Sequence, residues 1–211
     1  MALDREIVVR TALRVLDEVG LEGLTLRKIA AALDVQAPAL YWHFKNKQAL
    51  IDEMATTVFA DNVHEFGLPS ADRTWDEWAA AYGKGLRRML LRYRDGAKMF
   101  SGTYLTDSAL YAPMELALQT FTAAGFTLPE AIRGLATIYY YTVGFTIEEQ
   151  AVYPRLGERN PQYDSAKRAE RIDSAKFPLA QAAGAELFSD FDQHFEQGLQ
   201  LIITGLRLKA H

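Results

Sequence analysis

Gly23-Leu24-Thr25-Leu26-Arg27-Lys28-Ile29-Ala30-Ala31-Ala32-Leu33-Asp34-Val35-Gln36-Ala37-Pro38-Ala39-Leu40-Tyr41-Trp42-His43-Phe44-Lys45-Asn46-Lys47 is the stretch from which the fold is read. Thr25 is placed as the N-cap of a helix rich in alanine, a strong helix former. Asp34-Val35 interrupts the pattern. A short helix then starts at Gln36-Ala37, with Pro38 in its first turn, where a missing N–H is harmless; it runs through Leu40 to Phe44 and stops at Lys45-Asn46. Upstream, Ile7, Val8, Ala12, Val15, Leu16 and Val19 recur at helical spacing, and Gly20 ends that helix as a left-handed cap. Two helices joined by a three- or four-residue turn, the second short and aromatic, make a helix-turn-helix. Reading DNA requires small residues first, so that the backbone approaches the major groove, then polar or aromatic groups that reach bases and phosphates. Gln36, Ala37, Pro38 and Ala39, followed by Tyr41 and His43, meet that requirement, and Arg27 and Lys28 bring positive charge to the same surface. An ordinary αα-hairpin has the same spacing, so spacing alone leaves both readings open.

Charge distribution bears on the choice. The 211 residues carry a net charge of -4, which excludes an indiscriminately basic nucleic-acid binder. The first 48 residues are nevertheless at +1 and the remainder at -5, so a polyanionic partner is expected to meet the N-terminal end. The absence of cysteine excludes disulfides, thiolate metal sites and cysteine nucleophiles. The longest uncharged stretches, Leu116–Pro129 and Gly134–Ile147, are 14 residues each, short of the ~20 that a membrane span needs. Without a signal-peptide core near Asp4, Arg5 and Glu6, the expectation is a cytoplasmic protein with no membrane contact, associated with the nucleoid when bound to DNA.

Helical periodicity continues down the chain. Helices are expected from Lys47 to about Phe66 and over 75–93, 95–102, 108–124, 128–153 and 186–208, with a loop at Gly67, Pro69, Ser70 and Asp72. Thr137–Val143 is rich in strand formers but lies inside 26 residues that no turn interrupts, so it is read as part of a helix apolar all round and therefore buried. Pro154–Pro178, with its glycine, prolines and charges, is expected to be a mobile surface loop with one short helix. The fold class is all-α: a helix-turn-helix unit at 1–47 followed by a larger helical domain at 48–211.

Gly23-Leu24-Thr25-Leu26-Arg27-Lys28-Ile29-Ala30 followed by Leu40-Tyr41-Trp42-His43-Phe44-Lys45-Asn46-Lys47 resembles the signature of the TetR family of bacterial repressors. The likeness continues through Arg94–Lys98, Gly102-Thr103, Gly125-Phe126, Gly144, Glu148, Gln150 and Gly198–Leu206, which look like the C-terminal domain of the family's tetracycline branch. The resemblance implies a homodimer whose recognition helices enter successive major grooves of a palindromic operator, about 34–36 Å apart. By position, Arg27 would donate to a guanine edge and Gln36 would read a base, with Pro38 and Tyr41 making apolar or edge contacts. Thr25, Tyr41, Trp42, His43 and Lys47 would fix the register on phosphates. Leu40 and Phe44 are expected in the core and Tyr41 on the surface. Ala39 replaces a hydroxyl of the tetracycline branch, and Gln36 and Ala37 also depart from it, which implies a different operator.

The resemblance also sets up the effector site. In the tetracycline branch a magnesium chelate is held by an imidazole, with a threonine and a glutamate on its waters. Thr103 and Glu148 are kept here, but Phe100 stands at the imidazole position, and a phenyl ring cannot ligate Mg²⁺. The branch's asparagine falls at Tyr82, its aromatic at Leu86, its second histidine at Tyr140, and its anchoring histidine at Val63, with His64 beside it. The expectation is an apolar or aromatic effector, bound without metal or cofactor. Leu86, Phe100, Met114, Leu135 and Tyr140 would be walls, with core packing an equally open reading for Leu86 and Phe100, and Tyr82, Thr103 and Glu148 would supply orienting hydrogen bonds. Helices 128–153 and 186–208 would carry the dimer contact; the second has Leu187, Phe188, Phe191, Phe195, Leu199, Ile202, Ile203 and Leu206 on one broad face, which serves as core, interface or both. Enzymatic function is not expected: the four histidines, at 43, 64, 194 and 211, stand in no catalytic or metal motif, and no phosphate loop is present.

Overall fold

The computed structural model describes residues 4–66, 73–105, 107–155 and 157–208, so the expected loop at Gly67, Pro69, Ser70 and Asp72 lies outside the described residues. The described chain is helical, with one isolated bridge between Arg155 and Glu158 and no strand.

In the N-terminal unit, α1 (Arg5–Gly23) starts where the Asp4 carboxylate accepts the Ile7 N–H at 2.8 Å. Its regular turns stop at Gly20, whose φ of +72° is the left-handed backbone expected there, although one more helical turn follows. Thr25 caps α2 (Leu26–Ala32) by accepting the Lys28 N–H. Asp34, at φ +54°, makes the turn into α3 (Ala37–Tyr41). This helix ends three residues earlier than the sequence suggested, because the chain turns at Trp42 to bury Phe44 beside Leu40.

The body begins with α4 (Lys47–Asn62), capped by Asn46, and a 3₁₀ turn over Val63–Phe66. It continues with α5 (Trp75–Leu91), α6 (Gly96–Phe100), α7 (Tyr111–Ala123) and α8 (Leu128–Val152). The strand-like Thr137–Val143 is helical within α8. A capping box between Thr127 and Glu130, with Pro129 in the first turn, starts that helix. α8 is not buried all round. Arg133, Thr137, Tyr140, Gly144 and Glu148 form an exposed stripe at helical spacing, while Ala131, Gly134, Ile138 and Thr142 face inward.

The chain then forms a 3₁₀ turn at Pro161–Tyr163 and α9 (Ser165–Ala169), the short helix expected between Pro154 and Pro178. The single helix expected over 186–208 is instead two, α10 (Pro178–Leu187) and α11 (Phe191–Arg207). Asp190 breaks them. It sits at φ +42° and its carboxylate accepts the Gln193 N–H, so it caps a new helix. Leu187 and Phe188 therefore do not share the face of Phe195, Leu199 and Ile203.

Two apolar clusters hold the molecule. One is continuous from α1, α2 and Phe44 through α4 to Leu86, Met89, Met99 and Phe100; the other joins Trp78, Phe121, Ile138, Phe195 and Leu199. At the junction of α5, α8 and α11 lies a buried ion pair. Arg87 donates bidentately to Glu149 at 2.6 and 2.7 Å, adds a bond to Asp192 at 2.7 Å, and lies 5.1 Å from the Phe195 ring centre. Removing one partner of such a pair strands a buried charge. In a urea titration at fixed protein concentration, Arg87→Met should lower the unfolding free energy by about 3–5 kcal/mol. Adding Glu149→Leu should restore most of the loss, and a single-variant effect under about 1 kcal/mol would contradict this.

Candidate DNA-binding surface and effector cavity

The helix-turn-helix presents a surface whose exposed groups cannot be explained by core packing. Arg27, Lys28, Gln36 and Pro38 are exposed. Gln36 stands at the N-cap of α3 but makes no capping bond, so its amide has no such duty there. Leu40 and Phe44 are buried, while Tyr41 is 57% and Trp42 90% exposed. A tryptophan that open to water gains nothing from the fold, which is what a group reserved for a partner looks like. Ala37 and His43 are half-buried and Thr25 is exposed, its hydroxyl already serving as a cap. Lys47 is half-buried, and its ammonium donates to the Leu21 carbonyl at 2.9 Å, which fixes it at the first turn of α4.

A cavity of about 400 Å³ lies between the end of α4, α5, α7 and α8. Phe59, Val63 and Phe66 close one side, Trp78 and Tyr82 another, and Met114, Leu118, Leu135, Tyr139 and Tyr140 complete the wall. The aromatics are held by one another: Trp78 stacks on Tyr82 at 5.5 Å, and Phe66 meets the Tyr82 edge at 5.7 Å. Among the described residues, no carboxylate, imidazole or cation lines the cavity. Its polar atoms are three phenols and the Trp78 indole. Tyr139 donates to the Phe100 carbonyl at 3.4 Å, whereas the Tyr82 hydroxyl bonds to no described residue. Burial, reinforced by Tyr139, pushes the Tyr82 phenol far above the ordinary range, so it is a neutral donor at any physiological pH.

The expected effector residues separate into two groups. Tyr82, Met114, Leu135 and Tyr140 come together at the cavity. Leu86 and Phe100 do not line it. Both are buried in the continuous core, in the same cluster as Met89 and Met99. The Thr103 hydroxyl donates to the Phe100 carbonyl at 2.8 Å, closing the turn after α6. His64 is exposed, 3.9 Å from Glu65, while Val63 beside it faces the cavity. Glu148 lies on the exposed stripe of α8, and the buried carboxylate is its neighbour Glu149. Sequence reasoning missed Phe59, Phe66, Trp78 and Tyr139. The four-residue spacings Trp78/Tyr82 and Leu135/Tyr139 would have pointed to two of them, since such pairs share a helix face.

The described residues contain no cluster of three or more histidine and carboxylate side chains that could hold a metal. With Phe100 in the core and no carboxylate or imidazole among the described residues that line the cavity, those side chains do not fit a magnesium chelate.

An exposed helix-turn-helix on a helical body with an internal cavity defines a helix-turn-helix transcriptional regulator. Residues 8–54 match the family described as bacterial regulatory proteins, tetR family, and residues 68–210 match the tetracyclin repressor-like C-terminal domain. The chain belongs to the TetR family, whose members are transcriptional regulators and not enzymes. It is 40% identical over 206 residues to the tetracycline repressor protein class A from transposon 1721 of Escherichia coli, covering 97% of this chain and 90% of that one. It is also similar to the crystal structure of a possible TetR family transcriptional regulator from Streptomyces coelicolor A3(2), with TM-score 0.84 and 38% identity over 97% and 99% of the two chains. TetR (class A) in complex with 5a,6-anhydrotetracycline and magnesium gives TM-score 0.72 and 34% identity over 98% and 99%.

Trp42 offers a clean test of the surface. Trp42→Ala should leave the unfolding free energy within about 0.5 kcal/mol of wild type. The same change should weaken binding to a duplex selected by the wild-type protein by about tenfold. Unchanged DNA affinity, measured by fluorescence anisotropy, would remove Trp42 from the interface.

Proposed function

We propose that this chain is a homodimeric repressor that binds a palindromic operator through its helix-turn-helix and is released by a neutral, apolar or aromatic effector other than a tetracycline–magnesium chelate. The observation that carries the effector half is the cavity itself, about 400 Å³ with an aromatic and aliphatic wall in which no described residue is a carboxylate or imidazole. An ionised ligand group there would lose its hydration with no countercharge and only neutral phenol and indole donors in return, whereas a flat apolar ring system gains by stacking on Trp78 and Tyr82. Tyr82 orients the ligand by donating to an acceptor on it, and Met114 and Tyr140, both exposed, stand at the mouth.

On the DNA side the roles follow position. Arg27 donates to a guanine edge, Gln36 reads a base, and Ala37 and Pro38 let the backbone come close. Thr25, Lys28, Tyr41, Trp42, His43 and Lys47 hold phosphates. The division falls near Lys47, with 1–47 reading DNA and 48–211 sensing and dimerising. The exposed stripe of α8, the exposed Leu201 of α11 and Leu208 just past its end supply surface for a two-fold contact. Effector and operator then oppose each other by the same factor in either direction, and the dimer works in the cytoplasm at the nucleoid.

A second reading, a tetracycline repressor with an altered metal site, draws on the 40% identity to the class A protein. Calorimetric titration with tetracycline, with and without Mg²⁺, separates the two. No magnesium-dependent heat is expected, while neutral polycyclic natural products should bind with an affinity independent of pH between about 6 and 9, the range over which the Tyr82 phenol stays protonated. Tight magnesium-dependent binding of tetracycline would overturn the proposal. Arg27→Ala should abolish operator binding and leave effector binding intact, and an unchanged DNA affinity would sink the repressor reading.

A further inference from the structure

The recognition helix is held by very little. α3 is five residues long, Leu40 is its one buried residue, and it packs chiefly on α2. Its carboxyl end, however, meets a guanidinium from the first turn of α1. Arg5 Nη1 donates to the His43 carbonyl at 2.6 Å, and Nη2 donates to Glu53 Oε2 on α4 at 2.9 Å. The guanidinium carbon lies 4.6 Å from the Phe44 ring centre. Carbonyls just past a helix lack intrahelical partners, and a cation at that end is favourable. The planar fork of arginine can serve a carbonyl, a carboxylate and a ring face together; a lysine cannot.

We propose that Arg5 is a positioning residue for DNA recognition: it clamps the end of the recognition helix to α4, so that the angle of α3 follows α4. The far end of α4 carries Phe59, a wall of the effector cavity, so the clamp gives displacement of α4 a route to the DNA-reading surface. The inference rests on the reading of α3 as the recognition helix. Arg5 is half-exposed and Glu53 largely covered, and an ion pair in that setting adds little to folding stability. Its effect belongs in recognition. Two of its five N–H groups serve the protein's own acceptors, at the end of α3 and on α4, and that geometry assigns Arg5 a positioning role and not a phosphate contact.

The test uses the full-length protein, a duplex selected by wild type from a random-sequence pool, and an unselected duplex of equal length. Affinities are read by fluorescence anisotropy over a series of KCl concentrations. Arg5→Ala should lose about tenfold on the selected duplex and almost nothing on the unselected one, with the salt slope unchanged. Arg5→Lys should recover only part of the loss. A parallel loss on both duplexes, with the slope reduced by about 1, would make Arg5 a phosphate contact and overturn the proposal. An unchanged ratio between the duplexes would overturn it as well. Should Arg5→Ala fail to fold, Glu53→Gln decides: a reduced ratio is expected, and wild-type discrimination would contradict the clamp. If wild type enriches no duplex at all, the assignment of α3 as the recognition helix falls, and the clamp with it.

Discussion

The hydrogen bond from the Leu21 N–H to the Asp95 carboxylate, 2.9 Å long and 74 residues apart in sequence, is the contact on which the arrangement of this molecule depends. It requires two unusual backbone states. Asp95 sits at φ +55°, and Gly20, at φ +72°, leaves open the space that a Cβ would take 2.8 Å from the Asp95 oxygen. Around it the end of α1 is tied several times more. The Arg94 N–H donates to Asp17, the Arg94 guanidinium to the Glu18 carbonyl, and Arg155 to the Asp17 carbonyl. On the other side Gln150 of α8 accepts from Ala97 and donates to the Tyr93 carbonyl. A hydrogen-bonded path therefore runs from α8 through the start of α6 into the DNA-binding unit. The continuous apolar core runs beside it, so the helix-turn-helix is seated on the body and not merely tethered to it.

The two ends of that path have opposite chemistry. At one end Trp42 and Tyr41 stand in solvent among cations that a phosphate backbone would engage. At the other, the cavity is walled by rings that hold one another in place, with Tyr82 as a neutral donor. No charged side chain of the described residues lines the cavity, and under the proposed reading such a site would disfavour ions by desolvation and favour flat neutral molecules by contact area.

Much of the fold was legible in the sequence because its signals are local. Gly20 needs only its own φ, Thr25 only the amide three residues on, and Pro38 only a first turn. Asp190 was missed because a left-handed aspartate that caps the next helix looks, in sequence, like any polar residue on a helix surface. The cavity was read in part. Tyr82, Met114, Leu135 and Tyr140 reach it, but which face α5 and α6 turn inward is set by packing, and that packing buries Leu86 and Phe100 in the core. Glu148 and Glu149 show the same limit. Adjacent residues on a helix point about 100° apart, and only the packed structure shows that the second is the one paired with Arg87.

The most direct measurement is amide hydrogen exchange of the Asp95→Ala protein against wild type. If the junction seats the DNA-binding unit on the body, Leu21 and the α1 amides from Val8 to Leu16 should lose protection, while those of α8 from Ala131 to Val143 keep theirs. Unchanged protection across α1 would mean that the contact at Gly20 and Leu21 holds nothing, and would contradict the account.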